Sequence, residues 1–235
     1  MILPGRFISI FVVLFFCAAP ALADKGNVPD IQTAKSTDAD NPLLKSKMEE
    51  ASRKLRIDER YNFYDIKGTS IKELKQQMKL GGTKWSDGKV YAALTTWDIQ
   101  YNYEIIEKNG SYSIKSVATD ISVVYILPNR VTTATDGPDL QAGDWGKFMD
   151  HLKEHEHGHK DISVKTAAEI NEALASLGST SSKADLDKVA KLLVEAKFKQ
   201  LKKLHIAYDE ETQHGITQGA ILAESYPVQA FLLPK

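Results

Sequence analysis

The chain has 235 residues, 43% of them hydrophobic, with 30 basic and 31 acidic residues and a single cysteine, Cys17. This length and composition suit one sizeable globular domain with flanking segments. The near-neutral charge gives no electrostatic footprint for nucleic acid, so no nucleic-acid partner is expected.

The N-terminus has the three parts of a secretory signal peptide. Arg6 provides a minimal positive region, residues 7–16 are mostly apolar, and residues 21–23 form an A-x-A cleavage site. We therefore predict a signal peptide over residues 1–23 and an exported bacterial protein, periplasmic or secreted, with no membrane span after cleavage. Because Cys17 is lost with the signal, the mature chain has no cysteine for a disulfide, a nucleophile or a metal ligand.

The segment that follows the signal is polar. Residues 24–45 show no periodicity, and residues 46–58 are charged and could form a short helix. We predict a flexible leader over residues 24–58 and a single folded domain over residues 59–235.

The first half of this domain is rich in strand patterns. A strand is predicted over residues 61–66, and Ser70 and Glu73 form a capping box for a short helix. Apolar residues alternate with polar ones from 95 to 105, which is typical of a strand with one buried face.

A hairpin is predicted after that strand. Asn109-Gly110 favours a type I′ turn, and the return strand runs through residues 121–125 and ends at Pro128. Together these patterns predict a small twisted antiparallel sheet.

The second half is helical. A long helix is predicted over residues 144–177, with Asp144 as N-cap and Gly178 as stop signal, and a second over residues 183–211. Their short connection predicts antiparallel packing. The predicted fold class is therefore α+β, with the sheet first and the helices after it.

The long helix contains His155-Glu156-His157-Gly158-His159, which fits the H-E-x-x-H pattern of zinc metallopeptidases. On a helix, His155 and His159 lie on the same face, where both imidazoles can reach one ion. Glu156 is placed to act as general base toward a water at the ion. Both histidines fall within the apolar stripe of the helix, and buried polar groups need partners. The pattern predicts one zinc per chain.

Gly158 is a second unusual feature of this helix. Glycine within a helix costs about 1 kcal/mol relative to alanine. We expect another backbone or the metal to approach closely at this position.

A catalytic zinc has three protein ligands and one open position, so a third ligand is needed. The second helix offers His205, Asp209 and His214. His214 is favoured, because Gly215 allows the chain to turn and aim the imidazole. Asp209 is then an orienting carboxylate, either beside this site or for His205 as the alternative ligand.

Several motifs in the chain resemble those of the bacterial predicted secreted zinc-dependent proteases, a family otherwise described as a domain of unknown function. The matching motifs are His155-Glu156-x-x-His159, Lys160-Asp161-Ile162, Tyr208-Asp209-x-x-Thr212-x-His214-Gly215, Thr95-Thr96-Trp97 and Leu127-Pro128. The resemblance covers residues 60–220. It implies a zincin-like fold, with His155, His159 and His214 as zinc ligands and Glu156 as catalytic base.

The leading hypothesis is an exported zinc metallopeptidase whose partner is a peptide or protein substrate. Tyr208 is a candidate donor to the developing oxyanion, although packing against the helices explains it equally well. The strand around residues 121–127 is a candidate to hold the substrate by strand addition. The alternative is a non-catalytic zinc protein, in which the same residues form a closed site in a structural or partner-binding module.

Overall fold

The computed structural model describes residues 2–3, 55–84, 88–132 and 142–223. These ranges form a mixed α+β fold, as predicted, in which a sheet is followed by two long helices. Within them, no helix combines the length and apolar content needed to cross a bilayer. Apart from residues 2–3 and 55–58, the predicted signal peptide and leader lie outside the described residues.

Six strands are described, and four of them form the main sheet. In chain order they are β1 (Ile2–Leu3), β2 (Leu55–Ile66), β3 (Thr83–Lys84), β4 (Val90–Tyr91), β5 (Leu94–Lys108) and β6 (Ser111–Arg130). The main sheet has the order β1-β5-β6-β2, and β3 pairs with β4 in a separate ribbon.

The hairpin at the centre of the sheet follows the sequence prediction. Strands β5 and β6 pair antiparallel through a turn at Asn109 and Gly110, whose φ angles are 51° and 73°. Both angles are positive, as a type I′ turn requires.

The sequence predicted an antiparallel sheet, but the observed sheet is mixed. Strand β2 pairs with β6 in parallel, from Leu55 opposite Thr119 to Ile66 opposite Arg130. Parallel strands need a crossover connection, and here the chain between them contains a helix, the β3-β4 ribbon and β5. The first four residues of β2 fall within the segment predicted as leader.

The substrate strand proposed from sequence is also wrong. Strand β6 pairs with β5 on one side and with β2 on the other from Ile121 to Ile126. Its backbone hydrogen-bonding groups are therefore engaged on both edges, and no further strand can add there.

Three helices are described, α1 (Ile71–Gly81), α2 (Ala142–Ala175) and α3 (Lys183–Thr212). The predicted capping box at Ser70 and Glu73 is present, and the Ser182 hydroxyl caps α3 by accepting from the Asp185 amide. Asp144 is not an N-cap, because α2 begins two residues earlier. An acidic residue in the first helical turn is favourable for another reason, since it faces the positive end of the helix dipole.

Helices α2 and α3 pack antiparallel, as their short connection predicts. His155 contacts Asp209, and further along the pair Glu169 accepts from Lys197 at 2.7 Å. Strand β5 buries its odd-numbered face against the helices, including Trp97 at 5% exposure and Tyr101 at 2%. The sheet therefore gives the two helices a rigid platform.

The chain continues past α3 through a tight turn. Gln213, His214 and Gly215 all have positive φ angles, and a short 3-10 helix follows at Ile216–Gln218. The sequence also predicts that the mostly apolar segment over residues 216–233 is partly helical, and the last ten residues of that segment lie outside the described part.

Candidate metal centre

Three side chains from the two long helices converge on one point. His155 and His159 lie one turn apart on α2, and Asp209 faces them from α3. The Asp209 Oδ1 atom is 3.3 Å from His155 Nε2 and 3.1 Å from His159 Nε2. Across the described ranges, these residues form the one group of three metal-ligating side chains whose donor atoms lie within 4.8 Å of one another.

The site is largely enclosed by protein. The side chain of His155 is 4% exposed, that of His159 12% and that of Asp209 23%. Solvent therefore reaches the group mainly from the side of Asp209.

Each histidine has its second ring nitrogen held by a protein partner. His155 Nδ1 is 3.0 Å from Gln218 Oε1, and His159 Nδ1 is 2.9 Å from His205 Nδ1. Because the amide oxygen of Gln218 only accepts, the proton of a neutral His155 lies on Nδ1. These contacts fix the orientation of both rings, so that both Nε2 atoms face Asp209 Oδ1.

The donor set fits a metal ion. Two atoms bound at roughly 2.0–2.1 Å to one tetrahedral ion are about 3.4 Å apart. The two contacts made by Asp209 Oδ1 are close to that separation. Two imidazoles and one carboxylate are also a known ligand set for zinc.

Asp209 lies in the group of three; the sequence offered it as one of three candidates for the third ligand but favoured His214, with Asp209 as an orienting carboxylate. His214, the favoured third ligand, has its side chain 47% exposed and its Nδ1 atom 3.4 Å from Asp209 Oδ1. Its ring also lies 5.0 Å from that of Tyr91. The role of His214 as a ligand stays a prediction.

The charges in this group act strongly on one another. Burial alone would raise the pKa of Asp209, but hydrogen bonds from His155 and His159 hold that pKa well below its usual range. Burial would lower the pKa of His155, but the Asp209 and Glu156 carboxylates raise it instead. A metal must therefore compete with a proton on His155, so metal affinity falls as the pH falls.

Glu156 is buried beside the histidines. Its side chain is 4% exposed and accepts a 2.7 Å hydrogen bond from the Thr95 hydroxyl of β5. Burial raises the pKa of Glu156, while the charge of His159 and the Thr95 hydrogen bond lower it. The carboxyl is thus held in one place with its proton affinity increased.

Tyr208 explains the glycine in the motif. Its ring stacks on that of His155, with centroids 5.1 Å apart, and its hydroxyl donates to the His155 carbonyl at 3.2 Å. A Cβ atom at Gly158 would lie 2.0 Å from the Tyr208 hydroxyl oxygen. The close approach expected at Gly158 therefore comes from a side chain and not from a backbone or a metal.

Two residues that support the site were not predicted from the sequence. Gln218 lies in the short 3-10 helix and bridges the motif helix to α3, donating from Nε2 to the Tyr208 hydroxyl at 3.0 Å. Thr95 lies in an alternating strand and in the Thr95-Thr96-Trp97 motif of the family resemblance, but neither observation predicted a role for it at the site. Neither residue type is diagnostic of a metal site, and only the fold brings them to it.

A family model described as a bacterial protein of unknown function (DUF922) matches residues 61–215. The matched span contains His155, Glu156, His159, Asp209 and His214, and it ends just before Gln218. No curated protein and no solved structure matches the chain.

Proposed function

We propose that this chain, which belongs to that bacterial family of unknown function, is an exported zinc metallopeptidase that hydrolyses peptide bonds. The observation that supports it best is the placement of a buried carboxyl, Glu156, directly beside the group of His155, His159 and Asp209. In a purely structural metal site, a buried carboxyl that is not a ligand would be expected to orient a ligating histidine, whereas the described hydrogen bond of the Glu156 carboxyl goes to Thr95.

His155, His159 and Asp209 would hold the ion. When bound, zinc supplies Lewis-acid polarisation of a carbonyl and acidifies water. The carboxylate of Asp209 offsets part of the ion's charge, and the hydrogen bonds at the two Nδ1 atoms keep both imidazoles aimed.

Glu156 would move the proton. As general base it takes a proton from the attacking water and then delivers it to the leaving amine. A carboxyl with a raised pKa is better suited to both steps near neutral pH than an ordinary surface glutamate. The Thr95 hydroxyl keeps one carboxyl oxygen engaged, which leaves the other for this transfer.

Tyr208 is the proposed donor to the oxyanion, and its surroundings set a condition on that role. Its hydroxyl already donates to the His155 carbonyl and accepts from Gln218. To serve the reaction it has to exchange the first of these bonds for one to substrate. The replacement Tyr208→Phe is therefore expected to lower turnover while the ring keeps its place on His155.

The decisive variant is Glu156→Gln, which preserves the size of the side chain but cannot accept a proton. It should retain zinc and lose hydrolysis of a peptide library, read by mass spectrometry. Glu154→Gln is the matched control, because that side chain is on the same helix but is 66% exposed. It should behave as the parent does.

The outcomes separate the reaction from the site. Hydrolysis at the parent rate in Glu156→Gln would exclude Glu156 as general base. A parent protein that binds zinc but cleaves no peptide in the library would favour the non-catalytic module.

A further inference from the structure

His205 is a deeply buried polar side chain next to the candidate centre that does not belong to the ligand group. The residue is 3% exposed, and its ring stacks on Trp97 with centroids 5.7 Å apart. Its Nδ1 atom is 2.9 Å from His159 Nδ1, and its Nε2 atom is 3.2 Å from Ser163 Oγ. Both ring nitrogens therefore have protein partners, which leaves neither free to bind a metal.

The positions of the protons follow from these contacts. The Ser163 hydroxyl donates its one hydrogen to the His159 carbonyl at 3.0 Å, so it can only accept from His205. His205 Nε2 must then carry a hydrogen. A neutral imidazole has only one, so His205 Nδ1 has a lone pair and accepts from His159 Nδ1.

His205 is neutral for a physical reason. Its ring lies in the protein interior, 3% exposed and stacked on Trp97. The described contacts give it no carboxylate partner within hydrogen-bonding distance, so a charge on this ring would be costly.

We propose that His205 is a positioning residue that, backed by Ser163, fixes the proton of His159 on Nδ1. The lone pair of His159 Nε2 is then directed at the point where His155 and Asp209 also converge. A carboxylate or carbonyl usually has this role beside a metal-binding histidine, and here a second histidine performs it. The inference rests on the proposed metal site but not on the proposed hydrolysis.

The test compares two replacements of His205. His205→Asn keeps an oxygen near the position of Nδ1, which can still accept from His159. His205→Phe keeps a ring against Trp97 but has no acceptor. Zinc affinity, measured by competition with a chelator, should fall by about 10–100-fold in His205→Phe and stay close to the parent value in His205→Asn.

A second measurement does not need the metal. The ring nitrogen chemical shifts of His159, measured by NMR at a pH where the ring is neutral, report which nitrogen has the proton. The measurement uses metal-free protein with Asp209→Ala, because Asp209 Oδ1 lies 3.1 Å from His159 Nε2 and would also attract that proton. In this background, protein with His205 or His205→Asn should show the proton on Nδ1, and protein with His205→Phe should show a mixture. Ser163→Ala, a small change at a buried site, should also weaken the preference of the His159 proton for Nδ1. This variant replaces His205→Phe in the experiment if His205→Phe does not fold.

Two results would overturn the proposal: a proton on Nε2 of neutral His159 in the Asp209→Ala protein that retains His205, or zinc affinity in His205→Phe equal to that of the parent. If the parent binds no zinc at all, the proposed metalloenzyme fails. The NMR result still decides the role of His205 in that case.

Discussion

At the residue scale, the spacing of a short motif predicted more than the composition of the whole chain. His155 and His159 are four residues apart, and a helix of any origin places such a pair on one face. That local rule was sufficient to bring their Nε2 atoms to one point. The third member of the group could not be chosen so securely. Whether Asp209 or His205 meets that point depends on how α3 is rotated about its axis, and whether His214 does depends on the turn that follows α3; packing sets both.

Gly158 offers a test at the same scale in which two effects oppose each other. In an ordinary helix, replacing glycine by alanine stabilises by about 1 kcal/mol. Here the new methyl group would collide with Tyr208, so we expect Gly158→Ala to destabilise the protein by about 1–3 kcal/mol. Chemical denaturation measures the change in the free energy of unfolding.

Gly146 is the matched control for that substitution. It lies in the same helix, and a Cβ atom added there would meet no other atom within 4 Å, so Gly146→Ala should stabilise by about 0.5–1 kcal/mol. In a protein that already has Tyr208→Ala, adding Gly158→Ala should lower the free energy of unfolding by much less than it does in the parent. A Gly158→Ala protein as stable as the Gly146→Ala protein would show that Tyr208 does not pack as described.

At the element scale, strands and helices were predictable where one face is buried and unpredictable where it is not. Strand β5 alternates strictly, because its odd-numbered side chains pack under the helices. Strand β2 is exposed over most of its length, so its first residues carry no alternation and were assigned to the leader. Its extent is set by pairing with β6, which is a tertiary effect.

The capping box of α1 gives a prediction of pH dependence. Glu73 accepts from the backbone amides of Thr69 and Ser70, which lowers the pKa of its carboxyl below the usual value. A carboxyl with a lowered folded-state pKa stabilises the fold fully above its unfolded-state pKa. That stabilisation is lost as the pH falls through the folded-state pKa.

Glu73→Gln should therefore flatten the dependence of stability on pH in the acid range, as measured by thermal unfolding across a pH series. Glu107→Gln, at an exposed end of β5, is the control and should leave the curve unchanged. A Glu73→Gln curve parallel to that of the parent would mean that the cap does not depend on the charge of Glu73.

At the scale of the whole molecule, the fold class followed from the order of patterns along the chain, but the topology did not. Strand patterns came first and helical patterns second, which is sufficient to predict α+β. The parallel pairing of β2 with β6 joins segments more than 60 residues apart, and no local pattern encodes it. Because β2 occupies the second edge of β6, the pairing also removed the substrate strand that the sequence suggested.

The candidate centre depends on the same long-range organisation. Its two histidines are on one helix and its carboxylate is on the next. Thr95 of the sheet donates a hydrogen bond to the neighbouring Glu156. An ion held between α2 and α3 would bind only the folded arrangement, so it would also stabilise that arrangement.

The most direct measurement of the central claim is the zinc content, by elemental analysis, of residues 24–235, the predicted mature form, with His159→Ala and Asp209→Asn measured alongside. We predict about one zinc per folded parent chain, strongly reduced in both variants, because His155, His159 and Asp209 together form the site. His214→Ala, in the same series, shows whether that histidine adds a further ligand. A folded parent that takes up no zinc after reconstitution, or variants that retain it fully, would contradict the account.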